Sequence, residues 1–513
     1  MNRKRLHQDI YAVIDLGSNS FHMKMVKIVA GSVQVISRVK RKVRLASGLD
    51  AHNQLSQVAM ERGWECLSLF SEQLQDIPSE NIVIVGTATL RLAENVSVFL
   101  KKAESILKHP IQIITGEDEA KTIYLGVAHT SSSADNRIVV DIGGASTEVI
   151  VGYKFEPLAL QSLDIGCVTF LEKFFPDHKL TEQAFSEATQ AAREVLSPYV
   201  DEFVDAGWSS AVGASGSVQA LQEILIAQGF DEVITLERLH LIKEQAIACG
   251  HIDRLNIQGL SEERKLVFAS GLAILIAIFE RLNIQGMTLS GGALREGLLY
   301  SMLPKLQQRN IRERTLSSLL IRYHLDKHQA KRVSNLACQL AYQVNAQWAL
   351  SDFDGIDVLS ASAQLHELGL LIHYKKHQHH AAYILENTDM PGFTRAQHKL
   401  LIALVHNHRQ DIAREIVDRQ TMTSPLLAGR LTRILRLAVL LSLRRQDEVL
   451  PKAKLSVIDD ELTVSIDPDW LEQHPLTKAE LEQEIQYQKN CGWLLRMDAS
   501  CHTPKKHLTQ SSS

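Results

Sequence analysis

The stretch Asp141-Ile142-Gly143-Gly144-Ala145-Ser146-Thr147-Glu148 follows the apolar run Ile138-Val139-Val140. This order predicts a buried strand that carries the aspartate at its end and turns back through the two glycines. Adjacent glycines let a ligand approach the main chain, and successive N–H groups in such a turn form a concavity suited to anions. The loop therefore reads as a phosphate cradle, with the hydroxyls of Ser146 and Thr147 as added donors. Glu148 opens the next β-like run, Glu148-Val149-Ile150-Val151. A carboxylate beside phosphate is repelled unless a cation lies between them or the carboxylate handles a proton. The pattern points to metal-assisted phosphoryl chemistry.

An earlier stretch, Ile14-Asp15-Leu16-Gly17-Ser18-Asn19-Ser20, superposes without a gap on Val140 to Ser146, placing Asp15 on Asp141, Gly17 on Gly143 and Ser20 on Ser146. Each copy lies between two strand-like runs. Two related halves, each offering a phosphate hairpin, are expected to face one another across a cleft. The alignment exposes an asymmetry: His22 stands where the second copy has Glu148.

A chain of 513 residues implies three or four domains, and 45% hydrophobic with 22% charged residues is the balance of a soluble globular protein. The net charge of −4 supplies no general attraction to nucleic acid or an anionic membrane. The six cysteines, with no CxxC pair, read as reduced thiols of a cytoplasmic protein. The basic N-terminal residues lack the apolar core of a signal peptide. Leu266 to Phe279, the longest apolar run, is too short to span a bilayer and reads as a buried helix.

Residues 11 to 45 predict a three-stranded meander with Gly31 at a turn. Strand alternation would place Arg38, Lys40, Lys42 and Arg44 on one face, where they could gather a highly charged phosphate substrate. A helix over Gln54–Leu74 and a short strand, Ile82–Val85, precede Arg91, a candidate phosphate ligand. Another strand, Ile111–Ile114, leads into the acidic helix start Glu117-Asp118-Glu119, which composition alone explains as capping. In the second half, a long polar helix is expected from Thr181 to Ala206. Two further glycine turns, around Gly213, Ser215 and Gly216 and around Gly291 and Gly292, lead into helices whose amides could meet phosphate or a nucleotide's sugar.

From Arg312 the strand-like runs nearly vanish, and helical periodicity continues to about residue 445. His366-Glu367 is followed by His373, His377, His379 and His380, which read as a surface histidine-rich loop. Leu455–Ile466 predicts a hairpin, and Thr477–Asn490 a last helix with Thr477 and Glu480 as a capping box. The expected division is 1–128, 129–311, 312–448 and 449–500, then a disordered tail, 501–513.

The paired loops, together with Gly116-Glu117-Asp118-Glu119-Ala120 and Gly291-Gly292-Ala293-Leu294-Arg295-Glu296-Gly297, resemble the exopolyphosphatase/guanosine pentaphosphate phosphohydrolase family over nearly the full length. The resemblance implies an α/β fold of two ribonuclease H-like domains flanking a cleft, as in the actin, sugar kinase and chaperone ATPase superfamily. It also implies an all-helical extension similar to histidine-aspartate phosphohydrolases and a small α+β C-terminal region. His366-Glu367 in place of a His-Asp pair argues against a second working metal site. Thr87-Ala88-Thr89-Leu90-Arg91, Ala145 in place of a third glycine, and Leu289-Ser290-Gly291-Gly292 look more like the guanosine pentaphosphate branch.

By the same resemblance, Glu119 and Glu148 are catalytic, Glu119 as the base that prepares water, and Asp141 and Glu148 hold Mg²⁺. Asp15, Gly17, Ser18, Asn19 and Ser20 bind phosphate with Gly143, Gly144, Ala145, Ser146, Thr147 and Arg91. The implied reaction is removal of the terminal 5′ phosphate of pppGpp to give ppGpp, within stringent-response nucleotide metabolism. Polyphosphate is a second substrate, and a homodimer the expected assembly. A kinase of the same superfamily, an exopolyphosphatase, and a sensor that binds pppGpp or polyphosphate without turnover are the alternatives.

Overall fold

In a computed structural model of the chain, the described residues are 9–131, 136–303, 310–449 and 451–498. The expected disordered tail, 501–513, lies outside them. Strands β1 (Ile10–Leu16), β2 (Ser20–Val29), β3 (Ser32–Lys42), β4 (Ile82–Gly86) and β5 (Gln112–Ile113) form a sheet of order β3-β2-β1-β4-β5. The first three are antiparallel neighbours, and β4 and β5 add in parallel. Strands β6 (Arg137–Ile142), β7 (Thr147–Tyr153), β8 (Glu156–Leu163), β9 (Ser210–Gly213) and β10 (Met287–Leu289) form a second sheet. Its order, β8-β7-β6-β9-β10, repeats the first with the same strand directions.

The pleat explains which face each residue serves, since alternate side chains point to opposite sides. On β1, Ala12, Ile14 and Leu16 enter a core with helices Gln57–Leu74 and Val96–Leu107, while Val13 faces the other way. On β6, Ile138, Val140 and Ile142 likewise enter one core, which includes the buried helix Lys265–Leu282, while Val139 faces the other way. Val13 and Val139 meet in a shared apolar layer with Ala120, Ile123, Val127, Leu294 and Leu298. Helices Gly116–Ala128 and Leu294–Ser301 contribute those last five residues to the layer. The two helices cross closely because a Cβ on Gly297 would lie 1.8 Å from the Thr122 carbonyl oxygen.

Three expectations change. The basic strand ends at Lys42, and Arg44 turns off it with φ of 51°. The long helix divides into Glu182–Leu196 and Val200–Ala206 around a turn at Ser197–Tyr199. Pro198 in that turn has no N–H to continue the helical ladder. The strand expected over Ile111–Ile114 pairs only through Gln112 and Ile113. Among the described residues, no helix is long and apolar enough to cross a membrane.

The chain divides into two compact units, Met1–Ile311 and Arg312–Ser513. In the second, helices Lys327–Trp348, Gly355–Leu365, Arg395–His406 and Pro425–Leu441 share one apolar core with β11 (Lys454–Ile458), β12 (Glu461–Ser465) and β13 (Leu495–Asp498). The last helix starts at Pro475, so Thr477 lies inside it and not at its cap; proline suits the first helical turn.

The histidine-rich segment is only partly a surface loop. His373 and His379 are exposed, but His377 is buried with His366 and His408. The Nδ1 atoms of His366 and His408 meet the carbonyls three residues earlier, at 2.7 and 2.6 Å. Burial lowers the pKa of both rings, so they are neutral. Glu367 is held by the Arg445 fork at 2.5 and 3.0 Å.

Candidate active site

The residues flanking each glycine hairpin sit across from one another in register. Asp15 pairs with His22 on β1 and β2, and Asp141 with Glu148 on β6 and β7. Asp15 shares the face of Val13, and Asp141 that of Val139, so both carboxylates enter the space between the sheets. There a cleft of about 520 Å³ is lined by both hairpins, by Glu119, and by the glycine turns at Ser215-Gly216 and Gly291-Gly292. The loops approach so closely that a Cβ on Gly144 would lie 2.8 Å from the Ser18 Cβ. The carbonyls of Gly143 and Gly144 accept from the amides of Cys167 and Val168 at 2.9 and 2.8 Å. This engages carbonyl oxygens that would otherwise repel an anion.

The helix beginning at Gly116 is capped by Thr115 Oγ1, which accepts from the Asp118 amide at 3.0 Å. Its three first-turn acids then diverge. Glu117 pairs with Lys121 at 2.5 Å on the surface, Asp118 stays exposed, and Glu119 is buried in the cleft wall.

Arg91 does not line the cleft. Its Nη1 donates to Glu119 Oε2 at 2.8 Å and to the Ile114 carbonyl at 2.9 Å, so the helix turn at Ala88–Leu92 aims it at the acid. Thr147 also turns inward, its hydroxyl donating to the Ile165 carbonyl at 2.6 Å because the pleat opposes it to Glu148. Ala145 is buried, and Gly213 closes β9, accepting from the Ser290 amide at 2.8 Å. Asp15, Gly17, Ser18, Asn19, Ser20, Glu119, Asp141, Gly143, Gly144, Ser146, Glu148, Ser215, Gly216, Gly291 and Gly292 do line the cleft; Arg91, Ala145, Thr147 and Gly213 do not.

Several lining residues escaped the sequence reading. Lys24 reaches Glu296 at 2.6 Å, and the other Glu296 oxygen accepts from the Ala293 amide at 2.8 Å. Arg295 Nη1 contacts His22 Nδ1 at 2.5 Å. Arg264 lies over Gly216, where a Cβ would meet its guanidinium. Glycines flanking Arg295 and Glu296 were the available signal; for Lys24 and Arg264 no periodicity marked them.

Burial dominates the electrostatics. It pushes Asp15 up to about 7, against a downward pull from Arg295 and an upward one from Glu119. It raises Asp141 to about 7 as well, with the Asp15 charge adding and Arg295 opposing. Glu119 is raised by burial against the hydrogen bond from Arg91. Glu148 is raised well above its ordinary value by burial, then by Glu119 and Asp141, despite a hydrogen bond from Ser162 Oγ at 2.8 Å. Glu296 goes the other way: burial would raise it, but Lys24 and then Arg295 outweigh this.

An all-oxygen set of buried acids suits a hard divalent cation. Among the described residues, no three His, Cys, Asp or Glu side chains converge to hold an ion by themselves. The fit therefore needs phosphate oxygens to complete the shell, as is usual where one or two carboxylates share an ion with a nucleotide.

The sign of the pH dependence follows. A carboxyl whose pKa rises on folding from 3.8 to about 7 contributes stability that is complete below the lower value and lost as pH climbs through the higher. Metal-free protein should lose thermal stability between about pH 4 and pH 7. Asp141→Asn, neutral throughout, should lose less. Parallel thermal-midpoint profiles for the two proteins would contradict this.

Residues 25–306 match the Ppx/GppA phosphatase family, and residues 311–485 match Ppx/GppA phosphatase, domain III. A guanosine-5′-triphosphate,3′-diphosphate pyrophosphatase of Pseudoalteromonas translucida is 54% identical over 495 residues, covering 96% of this chain and 99% of that protein. One of the same name from Vibrio vulnificus is 52% identical over 490 residues, covering 96% and 98%. The crystal structure of an exopolyphosphatase from Cytophaga hutchinsonii superposes with a TM-score of 0.53 at 25% identity, covering 58% of this chain and 98% of that one.

Proposed function

The chain belongs to the Ppx/GppA phosphatase family, and from that premise we infer that it removes the terminal 5′ phosphate of pppGpp to give ppGpp and phosphate. The observation that carries this is the similarity, at 52–54% identity over almost the whole chain, to proteins named guanosine-5′-triphosphate,3′-diphosphate pyrophosphatase.

The two glycine hairpins bind the terminal phosphates from opposite sides, Asp15, Ser18, Asn19 and Ser20 from one half and Gly143, Gly144 and Ser146 from the other. Glu119 takes the proton of the attacking water, and a carboxylate raised toward neutrality by burial is suited to that task. Arg91 orients Glu119. Asp141 and Glu148 hold a divalent cation, which we take to be Mg²⁺; when bound it neutralises charge on the phosphates. The glycine turns at Ser215-Gly216 and Gly291-Gly292 receive the nucleoside part. Arg38, Lys40 and Lys42 on β3 attract long anions, which supports polyphosphate as a second substrate.

Two ribonuclease H-like halves of the actin-like kind are supported by the repeated strand order. We read the helical unit as HD-like, divide the chain at residues 128, 311 and 448, and expect a cytoplasmic homodimer.

Offered pppGpp, GTP and long polyphosphate side by side with Mg²⁺, the purified protein should release phosphate fastest from pppGpp. Chelation should abolish the release. Preference for polyphosphate would make it an exopolyphosphatase, and tight pppGpp binding without release would make it a sensor.

A further inference from the structure

One matched position holds a histidine in the first hairpin and an acid in the second, and the difference carries a role. Opposite Asp141 stands Glu148, an acid; opposite Asp15 stands His22, whose Nδ1 lies 2.5 Å from Arg295 Nη1. A guanidinium only donates, so Nδ1 must be the acceptor, and the proton of the ring sits on Nε2. The two residues are 273 positions apart and come from opposite halves, β2 and the helix Leu294–Ser301.

Two cations beside the acids are engaged, and Arg264, which also lines the cleft, lies over Gly216. Lys24 is tied to Glu296, and Arg91 to Glu119 and the Ile114 carbonyl. At the edge of the cleft, Lys40 lies 3.7 Å from Glu263. Arg295 lines the same cleft as Asp15, Asp141 and Glu119, and none of the ion pairs among the described residues involves it. Its partner is an uncharged ring, which fixes a guanidinium without cancelling its charge.

We propose that Arg295 meets the phosphoryl group being transferred, and that His22 is a positioning residue that holds its guanidinium in place. This rests on the reading of the cleft as the site of pppGpp hydrolysis. Arg295 neutralises charge that spreads over the equatorial oxygens as the terminal P–O bond breaks, while water oxygen forms the new bond and ppGpp leaves with the electron pair. The histidine in the first hairpin thereby does for an arginine what a second acid could not do without quenching it.

Steady-state phosphate release from pppGpp tests the pair. Arg295→Gln should lower kcat by about 10²–10³ with KM changed less than about threefold. Arg295→Lys should recover part of that, having the charge without the fork. His22→Ala should lower kcat about tenfold, and His22→Asn, whose Oδ1 takes the place of Nδ1, should recover most of the loss. In an Arg295→Gln background, His22→Ala should cost nothing further.

Wild-type turnover with Arg295→Gln within about threefold of it, or losses that multiply in the double variant, would overturn this role alone. Wild-type protein that releases no phosphate would overturn the proposed function and this role with it. If Arg295→Gln does not fold, as thermal melting would show, the contrast between His22→Asn and His22→Ala decides: equal losses overturn the role.

Discussion

Glu119→Gln should lower kcat for phosphate release by about 10²–10⁴, the usual contribution of a general base, and leave the fold intact. The amide is nearly isosteric with the acid and keeps an oxygen for the 2.8 Å bond from Arg91, so the packing of the buried site survives. What disappears is the capacity to take a proton from water. Stability should hold or rise, because burial holds the Glu119 pKa above 4.5, and above that value the charged form opposes folding. The pH profile adds a second reading: wild-type kcat/KM should climb as Glu119 loses its proton, and the residual activity of the variant should lack that limb. Steady-state kinetics beside a thermal melt measures all three. Turnover within about threefold of wild type would remove Glu119 from the chemistry.

The largest effect on stability is expected in the second unit. Arg436, fully buried on the helix Pro425–Leu441, donates to both oxygens of Glu484 at 2.7 Å and to the carbonyls of Asn407 and Gln410 at 2.6 and 2.7 Å. Glu484 is itself buried and also accepts from Gln488 at 2.8 Å. Removing the arginine strands a carboxylate and two carbonyls in an apolar core. Arg436→Met should therefore cost about 3–5 kcal/mol, although methionine fills much of the same volume. For a unit of this size that lowers the thermal midpoint by roughly 10 °C. Arg436→Met combined with Glu484→Leu should be more stable than the single variant, since no charge is then left unpaired. A double variant as unstable as the sum of the singles would show that the packing of the two side chains matters more than their charges.

Local order explains what the sequence reading captured. Strand, glycine turn and strand are neighbours in the chain, so Asp15 and Asp141 could be matched by alignment. The strand register bears out that match, pairing each with the residue seven positions on. Pleat alternation placed both acids on one side of their sheets. The same logic failed at Thr147, because a hydroxyl next to Glu148 must point the other way. It failed for the histidines too, since polarity along a segment does not reveal that His366, His377 and His408 meet in a buried cluster. Composition made Glu117, Asp118 and Glu119 equivalent helix caps, and only the packing of their helix against the sheets separates the one that is buried.

The strands flanking each glycine hairpin, and the likeness of the two hairpins, were written in adjacent residues, because turns and pleats are set by a few neighbouring side chains. Which cation meets which acid was not. Arg91 goes to Glu119, 28 positions away, Lys24 to Glu296, 272 away, and Arg295 to His22, 273 away. Charged side chains reach their partners only when sheets and helices from both halves close on one another, and burial then makes those contacts decisive by removing the water that would otherwise screen them.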